Sequence, residues 1–180
     1  KVRKRRKIKA PAINLPKDLM SYVVIALVAV LGWLLYTTFL GGNKEERLFH
    51  TYFKPYPSLV ATSNGGAAVD PDLSDMLRYY DRGDYLTAYD ELLPAASAYP
   101  SAPLYLGVSA LALEQPQRAL DWFDQYMPTD AYRPYADWYA ALAYLSMGRR
   151  PAALSILVEI AGTTGHPYEL AAAGLIEELE

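Results

Sequence analysis

The side chains that could do metal or acid–base chemistry are few and do not form a catalytic pattern. The chain has two histidines, His50 and His166, and neither has a second histidine at the H-x-x-x-H spacing of a zinc-binding helix. It has no cysteine, which excludes thiolate catalysis, disulfides and cysteine-ligated metal centres. We therefore interpret both histidines as structural or exposed residues.

Motifs for nucleophilic or phosphate chemistry are also missing from the sequence. It contains neither G-x-S-x-G nor a P-loop, and residues 162–165 (GTTG) lack the lysine that a phosphate-binding loop requires. Acidic pairs such as Asp81/Asp84 and Asp121/Asp124 fall at predicted helix caps or on solvated helix faces. The sequence thus predicts no enzyme, no catalytic or metal-binding residues and no cofactor.

Charge is distributed unevenly along the chain. The first eighteen residues carry eight Lys or Arg and one acid, whereas the remainder carries nine basic and nineteen acidic residues, a formal net charge of −10. Such an acidic body predicts no nucleic-acid binding. Residues 19–40 carry no charge and match the roughly 20 apolar residues of a membrane span. We expect a basic cytoplasmic tail at 1–18 and a transmembrane helix at 19–40, with Trp33, Tyr36 and Lys17 at the membrane interface.

The basic tail also predicts the orientation. Positive flanks stay cytoplasmic, so the acidic C-terminal part is expected in the periplasm, anchored in a bacterial inner membrane. The tail would in addition contact the lipid bilayer through anionic headgroups. A cleaved signal peptide fits less well, because residues 38–40 lack the small residues of a cleavage site. The chain begins at Lys1 rather than Met, so cytoplasmic residues before it stay an open alternative.

Proline and glycine punctuation predicts an all-α domain at 70–180, preceded by an aromatic and Gly-rich linker at 41–69. Asp70 followed by Pro71 is typical of a helix N-cap and first position, and Gly83 of a helix stop. Alternating β-branched runs are absent. Pro94 is expected to kink or shorten the second helix. The predicted helices lie near 71–82, 84–98, 103–113, 116–127, 134–147, 151–163 and 167–179.

Small residues recur at the period of a helical hairpin. Ala88, Ala119 and Ala153 are 31 and 34 residues apart, close to the 34-residue tetratricopeptide period. Here the sequence resembles the tetratricopeptide repeat family, in which such a residue lets the two helices of a hairpin pack closely. The resemblance covers 70–180 and implies about three repeats and a capping helix. Further positions that fit the family pattern are Leu106-Gly107, Tyr79, Tyr144, Gly83, Gly148, Pro100, Leu92, Phe123 and Leu157.

Three positions depart from the family pattern. In the second repeat Glu114 stands at the turn glycine and Ala110 at the aromatic position, and in the third Trp138 lies one place from the expected tryptophan. Residues 48–57 and 138–144 are similar to segments of single-span tetratricopeptide membrane proteins of Bacteroidetes-type bacteria.

The same resemblance implies which side chains line the groove of the inner helices. The groove would be apolar, and it lacks the Lys, Arg and Asn with which tetratricopeptide domains clamp a C-terminal carboxylate. An apolar groove must be covered, and two occupants are open: the chain's own residues 49–56, or an apolar segment of a partner. The implied partner-binding residues are Leu77, Tyr80, Leu104, Val108, Leu111, Trp138, Leu142 and Leu145.

Together these features predict a membrane-anchored protein–protein interaction module. We expect an accessory or scaffold subunit that docks on the periplasmic face of an integral membrane complex. The alternative is a transmembrane regulator of the anti-sigma-factor type with a periplasmic sensing domain, which would require cytoplasmic residues before Lys1.

Overall fold

A computed structural model of the chain describes residues 17–35, 44–58, 70–127 and 129–180. Within these ranges the regular structure is helical and includes no strand, which confirms the predicted all-α class. The chain divides into two compact units, Lys1–Gly42 and Asn43–Glu180. In the first unit the structure describes one helix, α1, at Lys17–Leu35.

The prediction of a transmembrane helix at 19–40 is wrong. Helix α1 has 19 residues, so at 1.5 Å per residue it is about 28 Å long, and it begins with the charged Lys17 and Asp18. Its apolar part is therefore shorter than a hydrocarbon core of roughly 30 Å. Among the residues that the structure describes, no helix is long and apolar enough to span a lipid bilayer.

The membrane-interface assignments were derived from that span and are not tested separately. Lys17 is the first residue of α1 and Trp33 lies near its end, while Tyr36 and most of the basic tail lie outside the described residues. The interface roles of these three residues, the lipid contact of the tail and the periplasmic location all depended on residues 19–40 crossing a membrane.

The second unit is built from eight described α-helices that follow one another along the chain. From α3 to α9 each helix packs against the next, and α5 also contacts α7. The turns within the pairs α3–α4, α5–α6 and α7–α8 are short, so these pairs are helical hairpins. The helices are α2 (Lys44–Tyr52), α3 (Pro71–Asp81), α4 (Tyr85–Leu92), α5 (Ala102–Ala112), α6 (Pro116–Phe123), α7 (Arg133–Ser146), α8 (Arg150–Gly162) and α9 (Glu169–Leu179).

The helix starts follow the predicted capping chemistry. The Asp70 carboxylate accepts hydrogen bonds from the backbone N–H of Asp72 and Leu73, at 2.9 and 3.4 Å, and Pro71 opens α3. The carboxylate of Asp84 caps α4 in the same way, accepting from the N–H of Thr87 at 3.2 Å. Both side chains satisfy amide groups that have no partner within the helix.

Pro94 shortens its helix as expected. Helix α4 ends at Leu92 and continues as a single 3₁₀ turn at Leu93–Ala95. A proline inside an α-helix removes a backbone donor and clashes with the preceding turn, so the chain changes to the tighter geometry there.

Part of the segment predicted as a linker is a helix. Residues 44–52 form α2, and its side chains Leu48 and Phe49 are buried. The helix packs against α7 and α9. The charged sequence Lys44-Glu45-Glu46-Arg47 and the prolines that follow concealed a two-turn helix whose formation depends on that packing.

The small residues that set the repeat spacing are part of the core: Ala88, Ala119 and Ala153 are fully buried. Gly107 lies where α5 and α6 meet, because a Cβ built on it would have three ring carbons of Phe123 within 2.8 Å. Close packing of these two helices therefore requires position 107 to stay small.

The three hairpin turns need a left-handed backbone residue, and one of them lacks glycine. Gly83 and Gly148 have φ of +76° and +67°, and Glu114, at the corresponding place in the second hairpin, has φ of +59°. A residue with a Cβ pays about 1 kcal/mol or more for this conformation.

We expect Glu114→Gly to stabilise the fold by about 0.5–1 kcal/mol, since relief of backbone strain outweighs the added freedom of the unfolded chain. Gly83→Ala and Gly148→Ala are the matched controls and should destabilise it, although neither added Cβ would meet an atom within 4 Å. Denaturant midpoints of the three variants measure this. A Glu114→Gly midpoint at or below that of the unaltered chain would show that the turn is not strained.

Candidate functional site

A short non-helical segment follows α2 and crosses the surface formed by α3, α5 and α7. We call residues 53–58 the strap and the surface beneath them the groove. Pro55 and Pro57 fix their own φ and disfavour the helical conformation at Lys54 and Tyr56. The strap is therefore extended as a consequence of its own sequence.

Three tyrosine hydroxyls hold the strap by its backbone. The Tyr139 Oη, from α7, donates to the Lys54 carbonyl oxygen at 2.6 Å. The Tyr80 Oη, from α3, donates to the carbonyl of Tyr56 at 2.9 Å, and the Tyr105 Oη, from α5, to that of Pro57 at 3.3 Å. Because these bonds go to the main chain, they do not depend on which side chains the strap carries.

The strap side chains pack among aromatic rings of the groove. The Tyr56 ring lies against Tyr135 and Tyr105, with ring centroids 4.8 and 5.9 Å apart. The ring of Phe53 meets Tyr139 edge to face at 6.3 Å. Such edge-to-face contacts add to the stabilisation from apolar burial.

Helix α2 anchors the N-terminal end of the strap. Phe49 is buried and stacks on Phe53, with centroids 5.1 Å apart. The Tyr52 hydroxyl donates to the Glu178 carboxylate at 2.8 Å, and its ring contacts Trp138. The strap and α2 thus form one covering element over the groove.

The eight groove residues implied by the tetratricopeptide resemblance are all buried and belong to one apolar core. Tyr80 bonds to the strap, Leu111 lies near Phe49 of α2, and Trp138 contacts Tyr52. The structure buries the other five (Leu77, Leu104, Val108, Leu142 and Leu145) in that core. A partner would reach this surface only where the covering element gave way. Of the two occupants left open by the sequence, the chain's own residues 49–56 are the one seen here.

Sequence reasoning identified Tyr80 but missed the other two tyrosines whose hydroxyls donate to the strap. Tyr105 and Tyr139 each follow a residue that was assigned to the groove, Leu104 and Trp138. They are 34 residues apart, the same spacing that separates Ala119 from Ala153. A search for tyrosine near the repeat period would have found this pair, and also Tyr135 and Tyr168, which are 33 residues apart.

Burial holds the hydroxyls of Tyr80 and Tyr139 in the protonated form by raising their pKa. Desolvation is the main cause that raises the pKa of Tyr80 and of Tyr139 far above the ordinary value, and it raises the pKa of Tyr56 to about 12. Neutral hydroxyls are hydrogen-bond donors, and phenolates are not. The groove therefore presents donors throughout the physiological pH range.

This burial predicts that alkali destabilises the fold. An unfolded tyrosine ionises near pH 10.0, whereas Tyr80 and Tyr139 resist ionisation in the folded chain. Their contribution is fully present below about pH 10 and decreases as the pH rises further, because only the unfolded state then releases those protons. Denaturant midpoints between about pH 8 and about pH 11, followed by tyrosinate absorbance, should show this loss. The slope should be shallower in Tyr139→Phe; an equal slope would contradict the assignment.

A cleft of about 570 Å³ lies beside the strap, between it and α7 and α9. Its walls are aromatic rings and prolines, and the one charged side chain among them is the exposed Lys54. In this wall the Trp138 ring stacks on the Tyr168 ring with centroids 4.7 Å apart. The lining residues are Thr51, Tyr52, Lys54, Pro55, Pro57, Trp138, Tyr139, Tyr168 and Ala171.

The histidines take no part in the groove's hydrogen bonds to the strap. His50 is exposed and lies edge-on to Phe49. His166 accepts a hydrogen bond at Nδ1 from the Tyr168 N–H at 3.1 Å, and burial is the main cause that lowers its pKa. In the described part of the chain, no three His, Asp or Glu side chains are grouped so that they could hold a metal ion. The arrangement is suited to binding a peptide backbone.

Comparison with known proteins gives no relative for this chain. No protein-family model, no curated protein and no solved structure matches it. The tetratricopeptide resemblance accordingly stays a prediction from residue types and their spacing.

Proposed function

We propose that this chain is a protein–protein interaction module, an accessory or scaffold subunit, and that it binds its partner through the groove. The observation that carries the proposal is the strap itself. A segment of polypeptide lies across three helices and is held by its main-chain carbonyls and by aromatic contacts. A surface that binds one extended segment in this way has the features of a peptide-recognition site.

The composition of the groove supports a binding role. Tyrosine and tryptophan are over-represented among residues that contribute most to protein–protein affinity, because each combines a large apolar area with a hydroxyl or N–H group. Tyr105, Tyr139 and Trp138 are at least 97 % buried, and Tyr135 and Tyr168 are partly accessible at the edge of the strap. Rigid aromatic anchors of this kind lose little conformational freedom when a partner binds.

The proposal keeps the accessory-subunit role predicted from the sequence and assigns it no membrane location, since the predicted span is wrong. Binding is favoured over catalysis because the polar groups of the groove are tyrosine hydroxyls already engaged with backbone carbonyls. Such groups offer neither a nucleophile nor a general base near neutral pH.

Site-specific photocrosslinking in the native cell tests this function. A photoreactive residue replaces Ala171, which lines the cleft from α9 and is not part of the strap, and the control replaces Tyr79, which lies on α3 away from the strap. We expect a discrete adduct heavier than the chain at position 171 and none at position 79. An adduct at position 79 alone, or only intramolecular products at position 171, would contradict binding at the groove.

A further inference from the structure

We infer that the groove accepts, from a partner, an extended proline-containing segment with an aromatic residue beside the prolines, and that the strap is a replaceable occupant of the same chemistry. The inference rests on the proposed function and names the class of partner for that site. The basis is that the groove and the strap match in hydrogen bonding, in shape and in charge.

The first part of the match is in hydrogen bonding. The groove donates three hydroxyl protons to the strap, to the carbonyls of Lys54, Tyr56 and Pro57. Proline presents a carbonyl and no N–H. A ligand rich in proline therefore brings acceptors for these donors while carrying fewer backbone donors that would need partners of their own. A surface built of tyrosine hydroxyls selects such a segment over an ordinary extended chain.

The second part is in shape. The Tyr56 ring fills a slot between Tyr105 and Tyr135, and Pro55 and Pro57 lie on either side of it in the sequence. Proline rings pack well on aromatic faces, and Pro fixes the backbone before binding, so less conformational entropy is lost. The slot accordingly specifies one aromatic residue next to proline.

The third part is in charge. Beyond residue 18 the chain carries nineteen acids and nine basic residues. The strap has one charged side chain, Lys54, and it is positive and exposed. A partner segment that is neutral or basic meets no repulsion on this acidic body, whereas an acidic segment would.

The sequence that connects the strap to the hairpins is long enough for the strap to leave the groove. Eleven residues, 59–69, separate the strap from Asp70 at the start of the hairpins. At no more than about 3.6 Å per residue they reach up to about 40 Å, so the hairpins need not unfold when the strap departs. A tethered occupant acts at an effective concentration of about millimolar, which the partner must outcompete.

An alternative occupant of the groove is the strap of a second copy of this chain. The length of residues 59–69 makes that exchange less favourable. Exchange between copies is promoted by short or strained hinge segments. Here the connecting sequence is eleven residues long and includes Gly65 and Gly66, so each strap can reach its own groove. A partner segment of different origin is the occupant to which we commit.

Fluorescence anisotropy with a synthetic peptide tests the inference. The probe is a labelled peptide of residues 48–58 of this chain, and the matched probe has alanine at both proline positions. Each is titrated into the full chain and into the Pro55→Ala/Pro57→Ala variant, whose own strap competes less well. We expect the probe to bind this variant at least about tenfold more tightly than the unaltered chain. The alanine probe should bind about tenfold more weakly than the proline probe.

A folding check and a control protein are needed to interpret the binding data. Circular dichroism and thermal melting establish that the variant is folded, and Lys54→Ala, which leaves the backbone contacts in place, serves as a second protein that should bind like the unaltered chain. The inference is overturned if the proline and alanine probes bind with equal affinity. It is also overturned if the proline probe binds the Pro55→Ala/Pro57→Ala variant no more tightly than the unaltered chain. A dimer of the unaltered chain with exchanged straps, detected by light scattering, also overturns it. If the photocrosslink at position 171 is found and the peptide probe fails to bind, the proposed function stands and only the partner class is wrong.

Discussion

Tyr139→Ala should destabilise the fold by about 3–5 kcal/mol, because it removes a large side chain that is 1 % exposed and leaves a cavity. The ring packs against Phe123 of α6 and against Phe53 of the strap, so the cavity opens between the hairpins and the strap. Urea unfolding followed by circular dichroism measures the loss. Tyr79→Ala, at a side chain that is 37 % exposed, is the control and should cost much less.

Tyr139→Phe distinguishes the contribution of the hydroxyl to stability from that of the ring. It keeps the packing and removes the donor to the Lys54 carbonyl, so we expect a loss of about 1 kcal/mol. A loss for Tyr139→Phe as large as that for Tyr139→Ala would mean that the hydroxyl dominates. A negligible loss for Tyr139→Ala would show that the strap and the core do not pack on this ring.

Gly107→Ala is the second change with a large expected effect. The added methyl group would be within 2.8 Å of three carbons of the Phe123 ring, which is itself buried, so helices α5 and α6 must separate or the ring must move. Overpacking of this kind costs about 1–3 kcal/mol, and the gain in helix propensity of about 1 kcal/mol offsets part of it. We expect a net loss of about 1–2 kcal/mol in the free energy of unfolding.

A matched control and a rescue make the result specific. Gly174 lies inside α9, where an added Cβ would be 3.4 Å from the Tyr52 Oη, an ordinary contact. Gly174→Ala should therefore stabilise the fold by up to about 1 kcal/mol through helix propensity. Phe123→Leu, which shortens the clashing ring, should recover part of the loss in Gly107→Ala. If Gly107→Ala is as stable as Gly174→Ala, the close approach of α5 and α6 is wrong.

Local chemistry in the sequence was sufficient to predict most of the hairpin helices. Asp70 and Asp84 are capping side chains, and Pro71 and Pro116 open helices α3 and α6. These signals act within a few residues, so no knowledge of the rest of the fold is needed to interpret them. Helix ends are less well predicted than helix positions: α9 begins at Glu169, whereas the sequence predicted a start at Pro167.

The length of helix α1 and the composition of the groove could not be predicted from local sequence patterns. Apolar composition predicted a span over 19–40, whereas the described helix ends at Leu35 and begins with two charged residues. In the groove, Leu104 and Tyr105 are adjacent on one helix and both are buried. Only the packing of α2 and the strap decides that Tyr105 is the one that contacts Tyr56. Residues 49–56 were one of the two groove occupants that the sequence left open, and Phe53 and Tyr56 of this segment pack against the core.

The most direct test of the groove as the binding surface is photocrosslinking at position 171, on the α9 side of the cleft, in two backgrounds, the unaltered strap and Pro55→Ala/Pro57→Ala. Weakening the strap leaves every groove side chain in place, so it changes only the competition for the surface. Our account predicts a partner adduct at position 171 that increases by several-fold when the strap is weakened. The same adduct in equal amount in both backgrounds, or no partner adduct in either, would contradict it.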